Sequence, residues 1–286
     1  MASRPPPVLV TGMPRSGTTW LARLLACAPG TALAGREPMN PRGSQYALGG
    51  TLTGWTRLEH PTPRQRRALS TAYRGRNPLV YSRYGKRQWA GPLPGTRIVV
   101  KDPFALLSLP LLSAVTNALP VIVYRHPGAM LASFRRVGWT AQPHDILAAV
   151  RPVRSPVGGG PQDLPVGEVE AMGTAWSTLY GAALEGIAEL ADSVIVSHEE
   201  LATGGVPAAR RLFARCSLEW DAAAAGLFAD RSAGATESSA LHNLDRSPAA
   251  VARAWRDKVG ADEIARLEAG TTEVLHALET RRTHLV

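Results

Sequence analysis

Residues 12–19, Gly-Met-Pro-Arg-Ser-Gly-Thr-Thr, place two glycines five positions apart, follow them with two hydroxyl residues, and lie between an apolar run and a helical pattern. Backbone amides in such a turn converge on an anion, and the positive end of the following helix adds to the attraction, so the spacing predicts an oxyanion site. A turn built for a nucleoside triphosphate carries lysine directly after the second glycine. Position 18 is threonine instead, and the turn's only cation is Arg15, ahead of that glycine. A triphosphate needs a cation bridging its outer phosphates, which Arg15 is poorly placed to supply.

Three more groups could act with this turn. Arg125 closes the run "PVIVYR", and Ser133 follows eight residues later on a helical pattern. A guanidinium fork suits a phosphate, and a serine two turns along a helix faces the same side as the helix start, although an arginine at a strand end also commonly makes a structural ion pair. Lys101 ends "RIVVK", and Glu37 follows the short apolar stretch "TALAG". Lys101 has the alternative of a bridge to Asp102 or another acid. Glu37 could equally cap a helix or pair with Arg36.

The elements that must position these groups alternate. Strand-like runs at Pro7–Gly12, Arg97–Asp102, Pro120–Arg125 and Ser193–His198 stay apolar until a polar residue appears at the carboxyl end, as in strands buried on both faces whose tips open on a site. "TALAG" supplies a further strand beside the turn. Helical patterns follow at Thr18–Ala28, Phe104–Ala118, Gly128–Val137, Val166–Ala191, Pro207–Ala214, Pro248–Val259 and Ala261–Leu278. Asp102 and Ser247 stand before prolines as helix starts. The pattern predicts an α/β fold: one three-layer domain over 1–286, with a parallel sheet between helices. Residues 40–95 and 140–166 lack sustained periodicity and are expected to be substrate-side insertions or loops. Trp176, Trp220 and Trp255 sit in helical patterns as core residues.

The chain of 286 residues carries 32 basic and 23 acidic side chains, a net charge of +9. That admits an anionic ligand, but the arginines are scattered rather than gathered in a basic arm, so no nucleic acid is expected. Cys27 and Cys216 stand far apart without metal-ligand spacing, which predicts reduced thiols and neither a zinc site nor a disulfide framework. No run reaches the length of a membrane span and the amino terminus lacks a signal-peptide core, so a cytoplasmic protein is expected.

"PRSGTTW", Pro14 to Trp20, resembles the 5′-phosphosulfate loop of sulfotransferases that use 3′-phosphoadenosine 5′-phosphosulfate (PAPS). The resemblance implies a second motif, an arginine at a later strand end and a serine eight residues on, both holding the 3′-phosphate; Arg125 and Ser133 match it. It implies that Pro14, Arg15, Ser16, Gly17, Thr18 and Thr19 cradle the donor, that no metal is required, and that adenosine 3′,5′-bisphosphate (PAP) is the product. "KDPF" at Lys101 is similar to the tyrosylprotein branch and Glu-Pro at Glu37 to the carbohydrate branch, which implies catalytic roles for Arg15, Lys101 and Glu37. The acceptor is expected to be a hydroxyl-bearing carbohydrate or small molecule, with His60 the runner-up to Glu37 as base. "VSHEEL" is similar to a segment in which a tyrosine meets the adenine; His198 stands in its place, and Glu199 reads as structural. Arg246 and Ser247, in "LDRSPAAVARAW", are candidate phosphate contacts. Two other readings remain: a kinase with a degenerate loop, holding Mg²⁺ through Asp102, and a non-catalytic nucleotide-binding module.

Overall fold

The computed structural model describes residues 5–82, 85–150, 167–233, 252 and 254–285. Five strands form one sheet: β1 (Val8–Thr11), β2 (Thr31–Ala34), β3 (Arg97–Lys101), β4 (Leu119–Tyr124) and β5 (Val194–Ser197). Their order is β2-β3-β1-β4-β5, and every pairing between them is parallel. All five runs expected as strands are present, β4 shifted by one residue and the other four one or two residues shorter than their apolar stretches.

Alternation along the strands divides the core into two layers, because successive side chains point to opposite faces. Leu9, Val100, Ile122 and Ile195 join one buried cluster, whereas Val10, Val99, Val121 and Val194 join the other. Over the first face lie α2 (Pro63–Tyr73), α3 (Leu109–Thr116), α4 (Pro127–Arg136), α5 (Pro143–Val150), α6 (Glu168–Ala188) and α10 (Ala261–Arg281). Over the second lie α1 (Thr18–Leu25), α7 (His198–Thr203), α8 (Gly205–Arg215) and α9 (Ala222–Ala233). The result is the expected three-layer α/β arrangement.

Helix α6 fixes the centre of the sheet. The hydroxyl of its Tyr180 donates to the Val123 carbonyl at 2.9 Å and accepts from the Met13 amide at 3.2 Å, while the indole of Trp176 donates to the Arg125 carbonyl at 2.9 Å. One helical face thus ties the glycine turn to the end of β4. Trp176 and Trp255 are buried and Trp220 packs at the edge of the second cluster, as expected.

Several expectations need correction. The stretch 40–95 contains helix α2, started by Thr62, whose side chain accepts from the Gln65 amide at 3.2 Å while the Thr62 amide donates to Gln65 Oε1 at 2.9 Å. This reciprocal cap satisfies two amides that a helix start leaves open. The stretch 140–166 begins with α5, and residues 151–166 lie outside the described residues. The helix expected over Phe104–Ala118 is broken at Ser108 into a 3-10 segment, Pro103–Leu107, and α3. Of Pro248–Val259, residues 254–258 form a turn and Ser247 falls outside the described residues. Helices α7 and α9 were not anticipated.

Candidate active site at the carboxyl edge of the sheet

The turn after β1 emerges at the middle of the sheet, between the tips of β3 and β4, where the strand order reverses and where open parallel sheets bind ligands. Its conformation demands its glycines. Gly12 has φ +148°, and a Cβ there would lie 2.1 Å from the Val123 carbonyl oxygen. Gly17 has φ +104°, and a Cβ there would lie 2.6 Å from His198 Nδ1. Arg15 adopts φ +78° without being glycine, a strain of about 1–3 kcal/mol of the kind found at ligand clamps.

That backbone turns the Arg15 side chain toward β4 and α4. Its Nε donates to Ser133 Oγ at 3.3 Å, and its guanidinium carbon lies 6.0 Å from the Trp139 ring centre. Burial, then the charges of Arg136 and Arg125, pull its pKa down to about 10, so it remains a cation at neutral pH. Three guanidiniums that repel one another favour an anion among them. Arg125, itself buried, lies 3.8 Å from Glu199 Oε1, which also accepts from the His126 amide at 3.1 Å. Glu199 is therefore a structural partner, as read from the sequence.

On the other side of the turn, β2 and β3 bring Glu37 and Lys101 together. Register pairs Ala34 with Val100, so Glu37, three residues beyond Ala34, sits just past the tip occupied by Lys101. Lys101 Nζ donates to Glu37 Oε1, and Asn40 Nδ2 donates to Oε2. Lys101 thus pairs with Glu37 rather than with Asp102. Asp102 is wholly buried, and its two oxygens accept from the Met39 amide at 2.6 Å and the Phe104 amide at 3.1 Å. Those bonds turn its carboxylate away from the cavity and leave it ill-suited to hold Mg²⁺ for a kinase.

A single cavity of about 670 Å³ joins the two sides, within the range of ligand pockets. Pro14, Arg15, Gly17, Thr18 and Thr19 line it, as do Glu37, Lys101, Arg125, Ser133 and His198. Ser16 is buried and turned inward. His198 is 6% exposed, meets Trp20 edge-on at 5.6 Å, and has no hydrogen-bond partner for either ring nitrogen among the described residues. Burial, and secondarily Arg125, pull its pKa down to about 3, so the ring is neutral. His60 is exposed and does not line the cavity. Arg246 and Ser247 fall outside the described residues. Lining groups that the sequence reading did not single out include Trp20, Asn40, Arg42, Tyr46 and Arg136. Arg136 could have been found, because it stands three residues after Ser133 on the same helix face. Cys27 and Cys216 are buried free thiols, and among the described residues no helix is long and apolar enough to cross a membrane.

Comparison with known proteins bears on the family and the fold. The sequence profile of the Sulfotransferase family matches residues 6–222. Among curated proteins no sequence matches the chain. The fold is similar to the sulfotransferase domain from the curacin biosynthetic pathway, at 12% identity and a TM-score of 0.52, covering 94% of this chain and 99% of that one. It is similar also to mouse sulfotransferase SULT7A1 complexed with PAP, at 12% identity and a TM-score of 0.53, covering 98% of this chain and 89% of that one.

Proposed function

From the premise that the chain belongs to the sulfotransferase family, we propose that it transfers a sulfonate from PAPS to the hydroxyl of a carbohydrate or other small-molecule acceptor. The observation that carries this reading is the meeting of Glu37 and Lys101 beside the glycine turn, in one cavity with Arg125 and Ser133. PAP in the mouse relative supports the choice of donor.

The chain's residues fit that donor. The turn from Pro14 to Thr19 is shaped by glycines that admit no side chain and opens on the first turn of α1, which suits the 5′-phosphosulfate end. Arg125 and Ser133 suit the 3′-phosphate, with His198 near the base, and Arg246 and Ser247 remain candidate phosphate contacts. When bound, the donor supplies an activated sulfonate whose S–O bond to the 5′-phosphate breaks, with the electron pair going to the phosphate oxygen. Glu37 accepts the proton of the acceptor hydroxyl as its oxygen bonds to sulfur. Lys101, beside Glu37, and Arg15, on the turn itself, are the cations assigned to neutralising charge that grows on the leaving oxygen. Lys101 Nζ and Glu37 Oε1 already face each other beside the turn. Asn40 holds the second carboxylate oxygen and so orients the base.

PAP is expected to raise the melting temperature and ATP with Mg²⁺ to leave it unchanged; the reverse result would replace this reading with a kinase. Glu37→Gln should lower turnover about 10²–10⁴-fold, while the stabilisation by PAP persists. A fully active variant would remove Glu37 as the base and leave the proton to the substrate itself.

A further inference from the structure

We propose that the acceptor is an anionic alcohol, bearing a carboxylate, phosphate or sulfate besides its reacting hydroxyl, and that Arg36 and Arg42 hold that group. This rests on the sulfotransfer reading and adds the substrate class to it.

The first argument is charge balance. Among the described residues, six arginines and Lys101 line the cavity against one carboxylate, Glu37. The donor brings about four negative charges: one on the sulfonate, one on the 5′-phosphate and nearly two on the 3′-phosphate. Glu37 offsets Lys101, so Arg15, Arg23, Arg125 and Arg136, on the turn, α1, the β4 tip and α4, are left to match them. Arg36 and Arg42 exceed that need.

The second argument is position. Both residues follow β2, at the sheet edge opposite β4 and β5. Three strand spacings, about 14 Å, separate β2 from β4, so these side chains flank the base rather than the 3′-phosphate. Arg36 directly precedes Glu37, and its Nη1 donates to the Gln45 carbonyl at 3.3 Å, which lays the guanidinium along the loop carrying Arg42. The Arg42 amide donates to Asn40 Oδ1 at 3.0 Å, and Asn40 in turn bonds Glu37. The two arginines and the base are therefore held by one short hydrogen-bonded segment.

The third argument is partnership. Among the described residues neither Arg36 nor Arg42 forms an ion pair, whereas Arg57, Arg135, Arg215 and Arg266 all do. The cavity's carboxylate is engaged by Lys101 and Asn40. A guanidinium offers five donors in a fork that matches carboxylate and phosphate, and the single carbonyl bond of Arg36 leaves most of its fork open.

The test is radiolabelled sulfonate transfer from PAPS to matched acceptors: glucuronate and glucose 6-phosphate against glucose, and 4-hydroxyphenylacetate against 4-hydroxybenzyl alcohol. The anionic members should show kcat/KM at least about tenfold higher, consistent with a charge-assisted bond. Preference between glucuronate and glucose 6-phosphate separates carboxylate from phosphate recognition. Arg36→Gln and Arg42→Gln, made singly, should each reduce the anionic-over-neutral ratio by raising KM for the anionic member. The thermal shift induced by PAP reports whether the donor site survives in each variant. Equal transfer to neutral and anionic members would overturn the inference, as would PAP binding with no transfer to any anionic member. Failure of PAP to stabilise the wild-type chain would instead overturn the sulfotransfer reading beneath it.

Discussion

Asp102 joins the two residues assigned to chemistry without lining the cavity. Its carboxylate bonds the Met39 amide, two residues past Glu37, and its backbone directly follows Lys101. Burial, then the charge of Glu37, pushes its pKa up from 3.8 to about 8, against the opposing bonds from Met39 and Phe104 and the charge of Lys101. The folded chain therefore binds this proton more tightly than the unfolded one. Stability from this group is complete below pH 3.8 and is lost as pH rises through about 8. Melting temperatures measured from pH 4.5 to 8.5 should fall more steeply for the wild type than for Asp102→Asn, which cannot ionise; parallel profiles would refute a buried, proton-binding Asp102.

At the scale of elements, α2 and α6 illustrate two ways of placing a site. Helix α6 is apolar enough to be read from its periodicity, and its Trp176 and Tyr180, one turn apart, hold the β4 tip and the glycine turn. Helix α2 carries only four buried residues, so its periodicity is weak and its start depends on the Thr62–Gln65 cap. Thr62→Ala should cost about 1 kcal/mol in denaturant unfolding. An unchanged midpoint would mean that tertiary contacts, and not the cap, hold this helix.

At the scale of the molecule, the two core layers share every strand, and Arg97 ties the start of β1 to the turn after α8 by donating to the carbonyls of Pro6 and Ser217 at 2.6 and 3.0 Å. Helix α10 lies along α6, with Leu267 buried and Arg135 bonding both Glu168 of α6 and Glu263 of α10. We propose that these links make the chain one cooperative unit. Leu267→Ala should lower stability by about 2–4 kcal/mol while calorimetry still shows one transition. Two separated transitions would divide the chain.

What the residues alone determined was local. Continuous apolar runs ending in a polar residue announce buried parallel strands, because a strand covered on both faces can expose chemistry only at its tip, and the glycine spacing announces the turn because glycine takes those angles without strain. The cap before α2 was equally local and legible, but a helix with so few buried positions gives little periodic signal. The pairing of Glu37 with Lys101, the withdrawal of Asp102 from the cavity and the joining of both sides of the turn in one cavity were decided only by the tertiary structure. Those contacts depend on strand order: β3 inserts between β2 and β1, bringing side chains 64 positions apart into one ion pair, and no spacing along a chain records which strands will become neighbours.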